Sequence, residues 1–242
     1  MKTIILGPPG TGKTTALLEL VESYLAKGIS PSKIGYFAFT KKAADTALQR
    51  AMKLFNLSED DLPYFRTLHS LAFRRLGIDP NQVMKKFNYQ FIGRKLGFAV
   101  NYASYEDDNG GYFSSSSEYL NLINVARVKG ISIEEQYDLN EHSGDIERDK
   151  LIIIATEIEN YKRQLELIDY SDMVSKFTQK DLSPTFEVVF IDEAQDLSFL
   201  QWQMVKSIWN KSKEVYLAGD DDQAIFRWAG ADLNYFINLK GN

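Results

Sequence analysis

The feature that most constrains this chain is the glycine-rich segment at residues 7–14, which directly follows the apolar run at residues 4–6. It reads GPPGTGKT and fits the phosphate-loop pattern G-x-x-x-x-G-K-[ST] at every position. Glycine permits the tight turn that aims several backbone N–H groups at one phosphate chain, and a following helix adds the partial positive charge of its N-terminus. The segment therefore predicts a strand, a phosphate-binding loop and a helix in succession.

The side chains of this loop have separate expected tasks. Lys13 can reach the β and γ phosphates of a nucleotide, and Thr14 can place its hydroxyl on the Mg²⁺ that bridges them. The predicted nucleotide-binding residues are Gly7, Pro8, Pro9, Gly10, Thr11, Gly12, Lys13, Thr14 and Thr15. A plain Gly/Pro turn is the alternative. The helical pattern at residues 14–26 and an acidic partner downstream favour nucleotide binding.

Composition limits the size of the fold and the kinds of site that the chain can form. The chain has 242 residues, 44% of them hydrophobic, which suffices for one core or for one core and a small inserted domain. It has no cysteine and two histidines, which excludes disulfides and Cys-ligated zinc and argues against a His-rich metal site. No apolar stretch approaches the roughly 20 residues of a membrane span, so we expect a cytoplasmic protein with no membrane partner.

The net charge of −5 conceals a division of the chain. Residues 1–100 carry 15 Lys and Arg against 7 Asp and Glu, whereas residues 101–242 carry 13 against 26. The basic half, which includes Arg66 and Arg74, is a candidate surface for a polyanion. Ordinary solvated helix faces explain such clusters equally well, and charge alone does not decide.

Four apolar, β-rich runs, at residues 3–6, 34–39, 188–191 and 215–218, predict the strands of a parallel sheet, with a shorter strand at residues 64–67. They are continuous rather than alternating, as expected when helices cover both faces of the sheet. Between about residues 77 and 164, helical patterns at residues 83–96, 118–128 and 146–165 surround a polar, Gly/Ser-rich segment. The predicted fold is α/β with a mainly helical insertion.

Two further segments carry polar side chains at the ends of predicted strands. Asp192 and Glu193 follow the buried run at residues 188–191, where open α/β sheets bind ligands. We expect Asp192 to hold Mg²⁺ and Glu193 to activate the attacking water. A cap on the next helix is the alternative for this acidic pair. After the last strand, Gln223 is placed to sense a γ-phosphate, while Phe226 and Trp228 are either core or contact residues.

These segments, in this order, closely resemble the motifs of UvrD/Rep-type superfamily 1 DNA helicases. Besides the phosphate loop, the matching segments are FTKKAA at 39–44, TLHS at 67–70, IDYSDM at 168–173, IDEAQD at 191–196 and GDDDQAIFRW at 219–228. The resemblance covers nearly the whole chain except the insertion. It implies a P-loop NTPase, RecA-like lobe at residues 1–77 and 166–242, and a helical accessory subdomain at residues 78–165.

The resemblance also implies roles for individual residues. Lys13, Asp192, Glu193 and Gln223 would be catalytic, with ATP and Mg²⁺ as cofactors and Thr14 and Asp192 as metal ligands. Aromatic rings would stack on the bases of single-stranded DNA, a contact that tolerates any sequence. The implied nucleic-acid-binding residues are Phe39, Thr40, Lys41, Thr67, His69, Phe226 and Trp228. His69 has a buried structural role as its alternative.

Three departures from the family pattern qualify these expectations. Ala229 stands where the motif usually has arginine, and no glutamine-containing adenine-recognition segment precedes Gly7. The chain also stops at Asn242, about where a second RecA-like lobe would begin. Because arginines of that lobe accelerate hydrolysis by roughly 10³ to 10⁵, we expect the chain alone to bind Mg-ATP, to hydrolyse it weakly and to be monomeric.

The resemblance thus implies the motor lobe of an ATP-dependent single-stranded-DNA translocase or helicase that moves 3′ to 5′, as UvrD/Rep relatives do. The motor lobe of a helicase-nuclease or of an RNA-directed relative is one alternative. The other is a nucleotide-switched module that grips nucleic acid without translocating. Hydrolysis stimulated by single-stranded DNA separates the motor from the switch.

Overall fold

A computed structural model describes residues 2–8, 10–100, 117–140, 146–220 and 230–239. Its five strands are β1 (Lys2–Leu6), β2 (Ile34–Ala38), β3 (Phe65–Thr67), β4 (Phe186–Ile191) and β5 (Ser212–Gly219). They form one parallel sheet in the order β1-β5-β4-β2-β3. The predicted α/β fold with a parallel sheet is confirmed, and it is consistent with a RecA-like P-loop lobe.

The described residues form ten α-helices. Six of them flank the sheet: α1 (Lys13–Ala26), α2 (Lys41–Phe55), α3 (Leu68–Leu76), α8 (Tyr170–Gln179), α9 (Phe199–Asn210) and α10 (Leu233–Asn238). The other four lie between α3 and α8 in the chain: α4 (Lys86–Leu96), α5 (Glu118–Lys129), α6 (Ile133–Asp138) and α7 (Arg148–Gln164).

The two faces of the sheet bury separate hydrophobic clusters. On β2, Tyr36 packs toward α1 and α2, whereas Phe37 packs toward α3, α8 and α9. On β4, Phe190 and Val189 divide in the same way. Successive side chains of a strand point to opposite faces. Burial on both faces therefore explains why these strands read as unbroken apolar runs.

The helices α4 to α7 share a third hydrophobic cluster, which includes Ile92, Ile123 and Ile154. The chain leaves and re-enters the α/β part at neighbouring points, because Val83 and Ile168 form a parallel bridge. The Ile168 amide donates to the Gln82 carbonyl at 2.8 Å, and the Met84 amide donates to the Ile168 carbonyl at 2.9 Å. This separate core supports the proposed division at residues 78–165, which stays a prediction.

Some boundaries differ from the sequence expectations. The helix predicted from residue 83 begins at Lys86, because Val83 is held in the bridge. The last strand begins at Ser212 rather than at residue 215, since sheet pairing with β4 continues through its more polar first residues. The short helix α6 was not predicted; Ser132 caps its N-terminus by accepting from the Glu135 amide at 3.0 Å.

Candidate nucleotide-binding site

The phosphate loop lies between the end of β1 and the start of α1. Gly10 and Gly12 have left-handed backbones, with φ of 78° and 86°, which side-chain-bearing residues rarely adopt. A Cβ on Gly7 would lie 2.6 Å from Thr11 Oγ1, so the loop is also too tight there for a side chain. The sequence pattern therefore corresponds to a real conformational requirement at these three glycines.

Lys13 folds back over this loop. Its side-chain ammonium donates to the Gly7 carbonyl at 2.7 Å and to the Pro8 carbonyl at 3.3 Å, and the residue is only 8% exposed. The positive charge is thus held inside the curve of the loop, beside the backbone of the first turn of α1. Because that is where the pattern puts phosphate groups, the ammonium is positioned to exchange carbonyl oxygens for phosphate oxygens.

Thr14 and Asp192 meet across 178 residues of sequence. Thr14 Oγ1 donates to Asp192 Oδ2 at 2.8 Å, and Asp192 follows directly after β4. The same carboxylate oxygen accepts from the Tyr36 hydroxyl at 2.7 Å. Burial, reinforced by the Asp192 charge, raises the pKa of Tyr36 well above its ordinary value, so the phenol keeps its proton and acts as a donor.

The hydroxyl of Thr14 and the carboxylate of Asp192 fit a magnesium site. Both are hard oxygen ligands, they are adjacent, and Mg²⁺ is commonly held by one or two protein oxygens together with phosphate and water. In the described part of the chain, no cluster of three His, Asp or Glu side chains could hold a metal by itself.

Glu193 lies next to this pair in an unusual conformation. Its backbone is left-handed, with φ 54° and ψ 44°. Gln195 fixes the side chain, because its Nε2 donates to Glu193 Oε2 at 2.6 Å while its Oε1 accepts from the Asp220 amide at 3.0 Å. A Cβ on Gly219 would come within 2.8 Å of Gln195 Oε1. The absence of a side chain at Gly219 is what lets Gln195 join β5 to Glu193.

The order of the strands brings these groups together. Leu6 pairs with Gly219, Ile191 with Leu217, and Phe37 with Ile191, so the carboxyl ends of four parallel strands share one edge. The phosphate loop, the Asp192–Glu193 pair and Asp220 all follow these ends. This is the edge at which open α/β sheets bind ligands.

The predicted nucleic-acid-binding residues have structural contacts of their own. Thr40 and Thr67 cap α2 and α3, accepting from the Ala43 and Ser70 amides at 3.1 Å each. Phe39 is 3% exposed and lies in a core cluster, so a base could stack on it only after neighbouring groups shift. Their role in nucleic-acid binding stays a prediction.

Lys41, Thr67 and His69 line one cavity of about 400 Å³ between α2, β3, α3 and α8. His69 also meets the ring of Tyr170 edge-on, with centroids 5.7 Å apart. Among the predicted site residues, Pro9, Gln223, Phe226 and Trp228 lie outside the described residues.

Tyr36 and Gln195 were not singled out from the sequence. Tyr36 sits in a buried strand, where an aromatic residue is ordinarily core, and only the pairing of β2 with β4 shows that its hydroxyl meets Asp192. Gln195 belongs to a recognised motif, but its contact with Asp220 depends on the fold. The sequence did offer one signal for Tyr36, because its hydroxyl group lies in the middle of an otherwise apolar strand.

Within the described ranges, no helix is both long and apolar enough to cross a bilayer.

Comparison with known proteins identifies a family that matches this chain. The family described as the UvrD/REP helicase N-terminal domain matches residues 1–242. Two relatives named ATP-dependent DNA helicase PcrA, from Staphylococcus epidermidis and Staphylococcus aureus, are 25% and 23% identical over 252 aligned positions. Each alignment covers 98% of this chain but 34% and 33% of the respective relative. The chain thus spans about a third of the length of the curated relatives it matches.

Proposed function

The chain belongs to the UvrD/REP helicase N-terminal domain family, and on that premise we propose that it is the nucleotide-binding lobe of an ATP-dependent motor on single-stranded DNA. The observation that carries this proposal is the hydrogen bond of 2.8 Å between Thr14 and Asp192. It joins the phosphate loop to the acidic strand end, which are the two protein elements that a Mg-nucleotide site requires.

In this proposal the chain's own residues divide the work on ATP. The loop amides and Lys13 bind the phosphates, while Thr14 and Asp192 hold Mg²⁺, which when bound neutralises charge on the β and γ phosphates. Glu193 orients the attacking water and accepts its proton, and Gln195 keeps the Glu193 carboxylate aimed from the end of β5. The further assignment of Gln223 as γ-phosphate sensor rests on the family pattern.

The proposed motor needs a second RecA-like lobe, in the same polypeptide or another one, to supply arginines to the ATP. The two relatives are named ATP-dependent DNA helicases, and each is about three times as long as the chain aligned with it. Movement from 3′ to 5′ and a cytoplasmic location also rest on the family resemblance and remain proposals.

ATP hydrolysis with and without single-stranded DNA tests the motor. In the natural polypeptide that contains these 242 residues, we expect the DNA to raise kcat by about tenfold or more. Glu193→Gln should lower kcat by about 10² or more, the range of a lost general base, while Mg-ATP still binds. The matched control is Glu187→Gln, in the β4 strand that precedes Glu193, where the carboxylate pairs with the exposed Lys213.

Two results would contradict the proposal. Hydrolysis indifferent to DNA would favour the nucleotide-switched module, and stimulation by RNA but not DNA would favour the RNA-directed alternative. Unchanged turnover in Glu193→Gln would contradict the role of Glu193 as general base, but it would not contradict the fold.

A further inference from the structure

An arginine occupies a core-facing position on the edge strand β3. Arg66 pairs in register with Phe37, whose side chain is buried in the cluster beneath α3 and α8. Side chains of paired residues lie on the same face of a sheet, so an apolar residue is the ordinary choice at position 66. The guanidinium there calls for a separate explanation.

Two nitrogens of the Arg66 guanidinium are buried without a partner, although the residue as a whole is partly exposed. These are the Nε and Nη1 atoms, which are shielded from solvent and have no hydrogen-bond acceptor among the described residues. Burial and the like charge of Arg74 lower its pKa to about 10, which still leaves it charged at neutral pH. Shielding two donors of a cation without an acceptor is unfavourable, so an anion in the adjoining cavity would complete the site.

The cavity of about 400 Å³ at this strand edge is lined by Arg66 together with Lys41, His69 and Arg74. Two carboxylates, Asp45 and Glu59, line it as well, and the charge of Glu59 partly offsets the effect of burial on the pKa of Arg66. Its polar lining also includes the hydroxyls of Thr67, Ser70 and Tyr170. The cavity thus offers cationic and neutral donors to a small anionic group.

We propose that Arg66, assisted by Arg74, binds a phosphodiester group of single-stranded DNA in this cavity. The planar fork of a guanidinium matches the oxygens of a phosphate group and binds them through two parallel hydrogen bonds. A strand rather than a free phosphate is the source, because Lys41, Thr67 and His69, which are expected along the strand, line the same cavity. The inference rests on the proposed function and adds two residues to its DNA-contacting surface.

Salt-dependent DNA binding tests the contact directly. The anisotropy of a labelled oligothymidylate is followed at several KCl concentrations for the wild type, Arg66→Gln and the control Arg50→Gln, which changes an exposed arginine of α2 outside the cavity. We expect Arg66→Gln to weaken binding about tenfold, as for one charge-assisted hydrogen bond. It should also reduce the slope of log K against log salt by about 0.7, the value for one phosphate contact on a single strand. Arg50→Gln should change neither quantity.

Thermal unfolding without DNA separates a ligand site from a structural residue. Because two shielded guanidinium nitrogens of the wild type lack an acceptor, Arg66→Gln should melt at the same temperature or higher. A lower Tm together with unchanged DNA affinity and salt slope would overturn the proposal. So would competition by inorganic phosphate or thymidine monophosphate at micromolar concentration, because the ligand would then be a free phosphate.

The same titrations distinguish failure of this inference from failure of the proposed function. If the wild type binds a fluorescent ATP analogue and DNA, and Arg66→Gln binds both equally well, only the cavity assignment is wrong. If the wild type binds ATP but no DNA, the motor proposal itself is wrong.

Discussion

At the residue scale, Asp192 is more constrained than a metal ligand on a loop would be. Its Oδ2 accepts from both Thr14 and Tyr36, and its Oδ1 accepts from the Glu193 amide at 3.1 Å. A carboxylate fixed by three donors loses little rotamer freedom when a metal binds. We infer that Tyr36 is a positioning residue for Asp192, because its ring is itself locked between β3 and β4.

Removal of the Tyr36 hydroxyl tests this positioning role. Tyr36→Phe should raise the Mg²⁺ concentration needed for half-maximal binding of a fluorescent ATP analogue by about three- to tenfold, equivalent to roughly one hydrogen bond of 0.5–1.5 kcal/mol. Nucleotide binding in EDTA should not change. The control is Tyr24→Phe, which removes another hydroxyl of the same cluster, bonded to Tyr216 at 3.1 Å. Identical Mg²⁺ curves for the two variants would show that Tyr36 only fills space.

The residues of the site differ in how far sequence could predict them. Lys13 and Thr14 occupy fixed positions in a local pattern, and Asp192 follows an apolar run, so each could be named from the sequence. Tyr36 and Gln195 act through partners 156 and 25 residues away. Arg66 could be counted as a cation, but its burial could not be foreseen. Contacts between distant segments depend on strand order, which no local pattern specifies.

At the scale of elements, strand order decides which loops meet. Because β4 lies between β2 and β5, Asp192 is adjacent to Tyr36 on one side and to the end of β5 on the other. Sequence periodicity located all five strands to within three residues at either end. It did not give their order, since every buried strand of a parallel sheet has the same apolar composition.

A largely buried ion cluster joins α5 and α7 to the start of α8. Arg127 of α5 and Lys162 of α7 both donate to Asp169, which also caps α8 by accepting from the Asp172 amide. Burial would raise the pKa of Asp169, but Arg127 and Lys162 outweigh it and hold that pKa below its ordinary value. The cluster thus fixes α5 and α7 against the start of α8.

Loss of this carboxylate should be costly. Asp169→Asn removes the most buried of the three carboxylates that pair with both Arg127 and Lys162; the others are Asp172 and Glu159. We therefore expect the free energy of unfolding to fall by about 3 kcal/mol at pH 7, measured by urea denaturation. Asp181→Asn, which removes an exposed ion pair with Lys211, should leave the urea midpoint nearly unchanged. Equal midpoints for both variants would contradict the importance of the cluster.

The same cluster predicts a pH dependence. A carboxyl whose pKa is lowered on folding stabilises the protein above its unfolded pKa of about 3.9, and the contribution disappears as pH falls through the lower folded value. The stability difference between wild type and Asp169→Asn should therefore stay constant from pH 7 to about 5 and narrow below about pH 4. A difference that narrows already between pH 7 and 6 would point to another group.

At the scale of the whole molecule, the structure shows where part of the basic half of the chain lies. The cations that line the cavity at the edge of β3 come from the basic first hundred residues, despite the net charge of −5. Most of the α4–α7 cluster comes from the acidic remainder. Average charge therefore does not describe this edge, where Lys41, Arg66 and Arg74 line the cavity beside only two carboxylates, Asp45 and Glu59.

We propose that residues 7–14 and Asp192 form a single Mg-nucleotide site, although they are far apart in sequence. Its most direct test is equilibrium binding of a fluorescent ATP analogue, with Mg²⁺ and with EDTA, to the wild type, Lys13→Ala, Asp192→Asn and the control Lys27→Ala. Circular dichroism verifies that each variant is folded.

We expect Lys13→Ala to lose about tenfold or more in affinity under both conditions, as for a charge-assisted contact. Asp192→Asn should bind as the wild type does in EDTA but gain nothing from Mg²⁺, and Lys27→Ala should behave as the wild type does. Wild-type binding by Lys13→Ala, or a full Mg²⁺ effect in Asp192→Asn, would contradict the single site.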